Sequence, residues 1–550
     1  MDHVQVLNYI KSDENIKKAF DYACFDRKHN DYYFDYFEIE YIENNKSAII
    51  NEIIQELDNV DEYNQRTAFS FFPPKTDLCF RRMIYIPFKD LVIRYAFVIV
   101  ISDLLDNELS ERCFANRRAK KNRANVSLLE NFAEESWPNF CNWQKKSMEN
   151  YEVLLRTDIS SFYDSISHDY LVQNVSELLS IDENTPIITL FKKILKVPVV
   201  SYSRLTNSIY KQCLMQGLPI GNSTEGILAN LFLKNKDDSM SRILDIEFGR
   251  YNDDMRIFGN DRNTVLSALL ILQELLLSKG LNLNASKTQI AENVEQIEKL
   301  RTKFYDVSGL YFEEEHDKVN KTENVKNNID KNFDEFDKIF HIDCEINSNS
   351  EAKEYCKFLS FQNKDGDLLL NLKDRTPLHI LKLEDIVQNW AGSVRHAVWL
   401  LVQSAFYRGV RKETKKKSKE LLFSLLSSDN TSSYSKYRIL HHLIKLRQTK
   451  KNIQFRFLDK LSRKEKADLL QLIPFFLKQP AFELNLISLY LLRIFNKSSS
   501  EIRDYVGKYI IKPVGDPIKN ALFYLMQLPD IDDSYIKASD EEYDSSIYSY

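Results

Sequence analysis

Three carboxylates stand where they could bind divalent cations together. Asp158 ends an apolar segment with a strand pattern, and Asp253 and Asp254 lie at the tip of a predicted hairpin. Mg²⁺ prefers hard oxygen ligands such as carboxylates and backbone carbonyls. The spacing therefore predicts a site for Mg²⁺ or Mn²⁺ formed by Asp158, the Ile159 carbonyl, Asp253 and Asp254, in which Asp254 supports the metals rather than bridging them.

An ordinary turn is the simpler explanation of the Asp253–Asp254 pair, because Asn-Asp sequences initiate turns by hydrogen bonding to nearby backbone. Three juxtaposed carboxylates, however, repel one another and raise one another's pKa unless a cation neutralises them. A structure in which they meet therefore implies a metal. Two divalent cations held in this way support transfer of a nucleotidyl group from a triphosphate to a hydroxyl.

Strands and helices alternate around these carboxylates. The patterns predict a strand at 152–158, helices at 168–180, 223–236 and 263–279, a hairpin at 246–259 and a short strand at 281–284. Between the first carboxylate and the pair lies the loop 216–221, with two glycines around Pro219, and Ser223-Thr224-Glu225 then opens a helix. This order predicts an α+β domain that carries the carboxylates.

In order and spacing, the Asp158 segment, the string Gln216-Gly217-Leu218-Pro219-Ile220-Gly221 and the Asp253–Asp254 turn resemble motifs A, B and C of the reverse-transcriptase palm. The resemblance covers about residues 70–312 and implies a nucleotidyltransferase. It implies that Gln216 and Gly217 lie against the incoming nucleotide. It also implies that Tyr163, five residues after Asp158, excludes the ribose 2′-hydroxyl, so that deoxynucleotides are favoured. A tyrosine that only packs in the core is the alternative.

Two basic residues fit the same resemblance. Arg82 precedes Ile86-Pro87 by the interval of the Arg-Pro-Leu-x-Ile-Pro segment of bacterial reverse transcriptases, whose arginine clamps triphosphate oxygens, although Met83 replaces the proline here. Lys287 resembles the motif D lysine, which can protonate the leaving pyrophosphate. A solvated basic side chain is the alternative for each.

The C-terminal half has a different pattern. Beyond about residue 313 strand signals nearly vanish and apolar runs with helical period recur, which predicts stacked helical hairpins of the HEAT-like kind or a globular bundle. The acidic tail 530–550 is expected to be mobile. We expect a helical lead-in at 1–60, fingers at 61–150, a palm at 151–315 and an all-α domain at 316–550.

The long helical C-terminal half resembles the abortive-infection polymerases of bacteria, of the AbiK and AbiA type. That resemblance implies fingers and palm without a standard thumb, a closed homo-oligomer (trimer or hexamer), and untemplated DNA synthesis primed by a tyrosine that keeps the single-stranded product. It also implies a role in phage defence. No motif selects the priming residue among 29 tyrosines. The candidates are Tyr9, Tyr22, Tyr32, Tyr33, Tyr36 and Tyr41 at the front and Tyr535, Tyr543, Tyr548 and Tyr550 in the tail. A templated polymerase that copies RNA and a non-catalytic scaffold remain alternatives.

The composition describes a folded protein, with 43% hydrophobic residues in 550. A net charge of -5 argues against a surface that coats nucleic acid non-specifically, although the basic patches 117–123 and 408–419 could contact phosphates or be solvated loops. Seven scattered cysteines without a Cys-x-x-Cys pair suit the reducing cytoplasm. Arg94 and Asp103 interrupt the most apolar early stretch, so we expect no membrane span.

Overall fold

The computed structural model describes residues 3–30, 32–75, 78–119, 127–130, 135–203, 208–300, 376–406, 412–445, 454–479 and 481–510, with short pieces between 346 and 370 and isolated positions elsewhere. Predictions on the tail 530–550, including its four tyrosines, lie outside the described residues.

Twelve helices and eight strands make up the described part before residue 301. The helices are α1 (His3–Ile10), α2 (Asp13–His29), α3 (Tyr36–Asn44), α4 (Lys46–Asp58), α5 (Phe88–Glu108), α6 (Trp137–Met148), α7 (Phe162–Ser165), α8 (His168–Leu179), α9 (Pro186–Leu195), α10 (Thr224–Met240), α11 (Arg262–Leu277) and α12 (Val294–Leu300). The strands are β1 (Ala68–Phe71), β2 (Met83–Tyr85), β3 (Val153–Asp158), β4 (Pro198–Ser203), β5 (Ser208–Cys213), β6 (Ile246–Tyr251), β7 (Asp254–Gly259) and β8 (Gln289–Ala291).

The strands form two four-stranded sheets. One has the order β6-β7-β3-β8 and is antiparallel throughout. The other has the order β2-β1-β4-β5, with β1 and β4 parallel. The first sheet carries the predicted carboxylates. The predicted strand at 152–158, the hairpin and the helices around them are confirmed within a few residues at their ends.

The strand predicted at 281–284 is wrong. Ser160 N donates to the Asn282 carbonyl at 2.8 Å and Asn284 N donates to the Asp158 carbonyl at 2.7 Å, so this segment makes only a single bridge beside β3. A 3₁₀ turn over Ala285–Lys287 follows, and the chain joins the sheet later as β8. The apolar alternation of 281–284 reflects burial of Leu281 rather than strand pairing.

Two large hydrophobic cores join elements that are distant in sequence. The first joins helices α1, α2, α4 and α5 to the palm helices and the central sheet. The second joins Tyr33, Phe37 and the strands β1 and β2 to the C-terminal helices. Residues of the lead-in at 1–60 therefore contribute to both cores.

The C-terminal helices stack in two rows. The row made of Val394–Phe406, Ser433–Ile444 and Phe482–Ile494 is almost wholly buried, and Phe482–Ile494 also contacts α3. The row made of Lys412–Ser427, Arg463–Leu477 and Ser499–Tyr509 buries only one face of each helix. Rows of this kind explain why the first set is buried on nearly all sides, with polar residues such as Lys436 and Arg438 taken into the interior, while the second buries one apolar face.

Short strand pairs interrupt these C-terminal helices, namely Ser360–Gln362 with Leu368–Leu370 and Arg447–Gln448 with Gln454–Phe455. The expectation that strands nearly vanish beyond 313 therefore holds for the long elements only. Among the described residues, no helix combines the length and apolar character needed to cross a membrane.

Candidate active site

The central sheet brings the predicted carboxylates to one edge. Strand β3 pairs with β7 so that Asp158 lies directly opposite Asp254. Strands β6 and β7 form the predicted hairpin, and its two loop residues are Asn252 and Asp253. Asn252 has a positive φ of 60°, which asparagine tolerates better than most residues. Local turn chemistry and strand pairing thus together place Asp253 beside the end of β3.

The charged groups at this edge act on one another. Burial, and next the charge of Asp158, raise the pKa of Asp253 from 3.8 to about 6. Lys287 Nζ lies 2.7 Å from Asp158 Oδ2, so its ammonium group compensates Asp158. The structure therefore brings Asp158, Asp253 and Lys287 together, although 95 residues separate the two carboxylates in sequence.

Asp254 is engaged elsewhere. Its two carboxylate oxygens accept hydrogen bonds from the Arg256 guanidinium at 2.8 and 3.0 Å, and Arg156 Nε lies 3.5 Å away. Arg256 is fully buried. Because Asp254, Arg156 and Arg256 project from the same face of paired strands, this ion pair follows from the sheet register. Asp254 thus neutralises the buried Arg256, and its part in holding a metal stays a prediction.

The remaining donors fit a magnesium site. Among the described residues, no group of three or more His, Cys, Asp or Glu side chains could hold a metal by itself. Mg²⁺, however, is commonly held by one or two carboxylates together with substrate phosphates. Asp158 and Asp253 supply two carboxylates whose mutual repulsion a cation would relieve, and the Ile159 carbonyl is adjacent in sequence. The site would thus be completed by the nucleotide.

The loop 216–221 packs directly on the turn after β3. Gly217 has a φ of 83°, and a Cβ there would lie 2.9 Å from the Asp164 carbonyl oxygen. Gly217 N donates to the Ile166 carbonyl at 2.7 Å, and Leu218 N donates to the Tyr163 carbonyl at 2.8 Å. Only glycine fits this conformation and contact. Gln216, the neighbouring residue, is exposed and free to meet a ligand.

The end of this loop is fixed from the N-terminal helices. Asn30 Nδ2 donates to the Gly221 carbonyl at 3.2 Å. Asp26, on α2, accepts hydrogen bonds from Ser223 N at 2.8 Å and Ser223 Oγ at 2.7 Å. Asp26, on a different helix, therefore accepts the backbone N–H of Ser223 at the N-terminus of α10. No local sequence pattern reveals this cap.

Arg82 and Tyr163 make further contacts at the turn after β3, on which the loop 216–221 packs. Arg82 donates to Asp164 Oδ1 at 2.6 Å, which ties β2 to α7. Tyr163 donates its hydroxyl to Asn252 Oδ1 at 3.1 Å and packs partly buried against the first core. Arg82, Tyr163 and Gly217 are thus connected through residues 163–164.

Comparison with known proteins finds a family model that matches part of the chain. Residues 100–361 match the family model of reverse transcriptase (RNA-dependent DNA polymerase). The matched segment is a reverse-transcriptase domain. It includes Asp158, Tyr163, the loop 216–221, Asp253 and Lys287 but not Arg82, and it spans a little under half of the chain. No curated protein matches the chain.

One similar solved structure is apo telomerase from Candida tropicalis, truncated from its C-terminal domain. The TM-score is 0.31 and the sequence identity 15%, over 41% of this chain and 50% of that chain. This chain therefore spans about half the length of that telomerase structure.

The reverse-transcriptase domain contains functional candidates that the sequence motifs missed. Asn252 contacts Tyr163, Asn116 contacts Asn252, and Asp164 holds Arg82. The Asn-Asp-Asp string marks Asn252 as a turn residue, and Asp164 follows Tyr163 directly. No local signal singles out Asn116, which lies 136 residues before its partner.

The first basic patch supports the chain after α5. Arg117 Nε lies 2.8 Å from Asp106 Oδ1, and Arg118 Nε lies 2.7 Å from Asp103 Oδ1. Both guanidiniums are largely buried in these ion pairs. Arg117 and Arg118 are therefore neither solvated loop residues nor exposed phosphate contacts. Residues 120–123 of this patch, with Arg408 and Arg411 of the second, lie outside the described residues. In the second patch, Lys419 lies 3.4 Å from Glu465.

Proposed function

We propose that the chain is a Mg²⁺-dependent DNA polymerase that transfers deoxynucleotides from their triphosphates to a hydroxyl group. One observation carries the proposal. Asp158 ends β3 directly opposite the start of β7, beside the hairpin tip that carries Asp253, and the charge of Asp158 contributes to raising the pKa of Asp253. Bound divalent cations would supply activation of the attacking hydroxyl and stabilisation of the leaving pyrophosphate.

The surrounding side chains have roles that follow from their positions. Asp158 and Asp253 hold cations, and the exposed Gln216 and the tight turn at Gly217 contact the nucleotide. Arg82 exchanges its ion pair with Asp164 for the triphosphate, since a guanidinium binds carboxylate and phosphate oxygens alike. Lys287 stays within reach of Asp158 and of the leaving group, where an ammonium group can donate a proton.

Alanine substitution of the two carboxylates tests the proposal. Asp158→Ala and Asp253→Ala should each abolish incorporation of labelled deoxynucleotides with Mg²⁺ or Mn²⁺, while the far-ultraviolet circular dichroism remains that of the wild type. Asp468→Ala, an exposed aspartate in the helix Arg463–Leu477, is the matched control and should retain activity. Activity that survives in the Asp158→Ala/Asp253→Ala double variant would refute the assignment.

We also propose that synthesis is untemplated and primed by a tyrosine of the chain, in a cytoplasmic homo-oligomer (trimer or hexamer) that serves phage defence. The support is the resemblance of the C-terminal half to abortive-infection polymerases, together with its two rows of stacked helices. Sequencing the product made on a defined RNA or DNA template separates this proposal from templated synthesis, because a complementary product means copying. A protein that incorporates no deoxynucleotide would instead be a binding scaffold.

Packing narrows the front tyrosines that could prime. Tyr22 and Tyr33 are buried. Tyr36 packs on Tyr490 and bonds His441, and Tyr41 stacks on Tyr524. Tyr9 and Tyr32 remain as candidates for the priming residue at the front of the chain.

Tyr9 is 42% exposed, and Tyr32 is partly exposed with its hydroxyl accepting a hydrogen bond from Arg81 at 3.0 Å. The hydroxyl of Tyr32 is thus held next to Arg81, the neighbour in sequence of Arg82, which would bind the triphosphate. We therefore favour Tyr32 among the front tyrosines. Mass spectrometry of the purified protein should map a ladder of nucleotide masses to one tyrosine, and Tyr32→Phe should remove a ladder on Tyr32, whereas Tyr36→Phe should not.

A further inference from the structure

The hydroxyl of Tyr163 is tied to the hairpin that carries Asp253. Its oxygen lies 3.1 Å from Asn252 Oδ1, and Asn252 directly precedes Asp253. Burial raises the pKa of Tyr163 well above its ordinary value, so the phenol stays protonated and donates this hydrogen bond. The contact joins the ring that would select the sugar to the tip of the hairpin.

Asn252 is itself held from two sides. Asn116 Nδ2 donates to the same Asn252 Oδ1 at 3.3 Å, and an Arg250 guanidinium nitrogen donates to the Asn252 carbonyl at 3.2 Å. Asn252 and Asn116 both have positive φ, 60° and 56°, which suits asparagine. The side chain that accepts the Tyr163 hydrogen bond is therefore fixed in position by its backbone and by its neighbours.

A buried polar network lies behind these contacts. Arg250 is fully buried, with a guanidinium nitrogen 2.7 Å from Asp237 and another 2.8 Å from Asn230 Oδ1. Asn230 Nδ2 in turn donates to the Asn116 carbonyl at 3.3 Å. Gly226 leaves room for the Asn116 side chain, since a Cβ there would lie 2.3 Å from Asn116 Cγ. Buried networks whose members satisfy one another hold a single arrangement.

We propose that Asn252 is a positioning residue for sugar selection: it holds the Tyr163 ring where the ring excludes a ribose 2′-hydroxyl, and Asn116 holds Asn252. The inference rests on the proposed polymerase function. Deoxynucleotides and ribonucleotides differ at this point by one hydroxyl, so a small displacement of the ring changes the selection. The contact lies between protein groups, and its loss changes the choice of substrate more than the reaction itself.

The test measures kcat/KM for a deoxynucleoside triphosphate divided by kcat/KM for the matching ribonucleoside triphosphate. Tyr163→Phe keeps the ring, and Asn252→Gly keeps the positive φ, but each removes the hydrogen bond. Loss of one such bond should lower the ratio about threefold to tenfold. Because both changes remove the same bond, the double variant should lose no more than either single variant. Asn252→Asp retains an acceptor and should keep most of the selectivity.

Two further variants separate loss of the Tyr163 position from a general loss of structure. Asn496→Gly makes the same substitution at a φ of 58° among the C-terminal helices and should leave the ratio unchanged. Gly226→Ala touches neither Tyr163 nor Asn252, yet its methyl group displaces the Asn116 side chain and should lower the ratio.

Each alternative outcome has a definite meaning. A selective wild type whose ratio is unchanged in Asn252→Gly, or whose losses add in the double variant, overturns the positioning role alone. A wild type that uses both sugars equally overturns selection by Tyr163 while polymerisation stands. A wild type that incorporates neither nucleotide overturns the proposed function and this inference with it.

Discussion

Replacing Asp253 with asparagine should stabilise the metal-free protein, while the same change at the next residue should destabilise it. The pKa of Asp253 is raised from 3.8 to about 6, which corresponds to about 3 kcal/mol at neutral pH. Solvent screening of this partly exposed group reduces the expected gain in Asp253→Asn to about 1–2 kcal/mol. Asp254→Asn instead leaves the buried Arg256 without its carboxylate and should cost about 1–3 kcal/mol.

The difference in the free energy of unfolding between Asp253→Asn and the wild type should increase as pH rises. Below about pH 4, Asp253 is protonated in the folded and the unfolded protein, and the two proteins should be equally stable. Between about pH 4 and pH 6 the unfolded carboxyl ionises first, so the wild type loses stability as pH rises. The full difference is therefore expected above pH 6.

Thermal unfolding in the presence of a chelator measures both effects. At pH 8 we expect the midpoint of Asp253→Asn to rise by about 1–3 °C and that of Asp254→Asn to fall. Mg²⁺ at ten times its Kd should stabilise the wild type by about 1.4 kcal/mol and Asp253→Asn by much less. If Asp253→Asn lowers the midpoint at pH 8 as Asp254→Asn does, the repulsion between Asp158 and Asp253 is not present and the metal site is wrong.

Two other substitutions test how the site is supported. Gly217→Ala meets the Asp164 carbonyl at 2.9 Å and should cost about 1–3 kcal/mol and raise KM for nucleotides, whereas Gly280→Ala, at a φ of 75° with open space, should cost less and leave KM unchanged. Arg94→Met leaves the buried Glu225 without its partner at 3.3 Å and should destabilise by about 3 kcal/mol, but Arg94→Met/Glu225→Leu should recover most of that loss, since burial opposes the charged form of both groups. A double variant no better than the single one would contradict this reasoning.

The secondary structure of the catalytic region was accessible from sequence because its signals are local. A short apolar run located β3, and the Tyr-Asn-Asp-Asp string located the hairpin. The two glycines of the loop 216–221 indicated its tight turn, which the φ of Gly217 bears out. The segment 281–284 misled because burial of a few apolar residues gives the same alternation in a strand and beside one.

The electrostatics of the site depended on tertiary contacts. Lys287 reaches Asp158 across 129 residues, and Asn116 reaches Asn252 across 136. The pairing of Asp254 with Arg256 depends on which face of β7 each side chain occupies and on the burial of that face. No periodicity encodes such partners, because they are selected by how separate elements pack.

The chain by itself therefore determined which residue types stand at the ends of its strands and turns, since backbone preferences act over a few neighbours. Only the tertiary structure decided which of those groups interact electrostatically. Asp253 became a carboxylate whose charge burial and Asp158 oppose, and Asp254 became the partner of a buried arginine, although they are adjacent and chemically identical. Electrostatic energy depends on distance and burial, and both are properties of the packed structure.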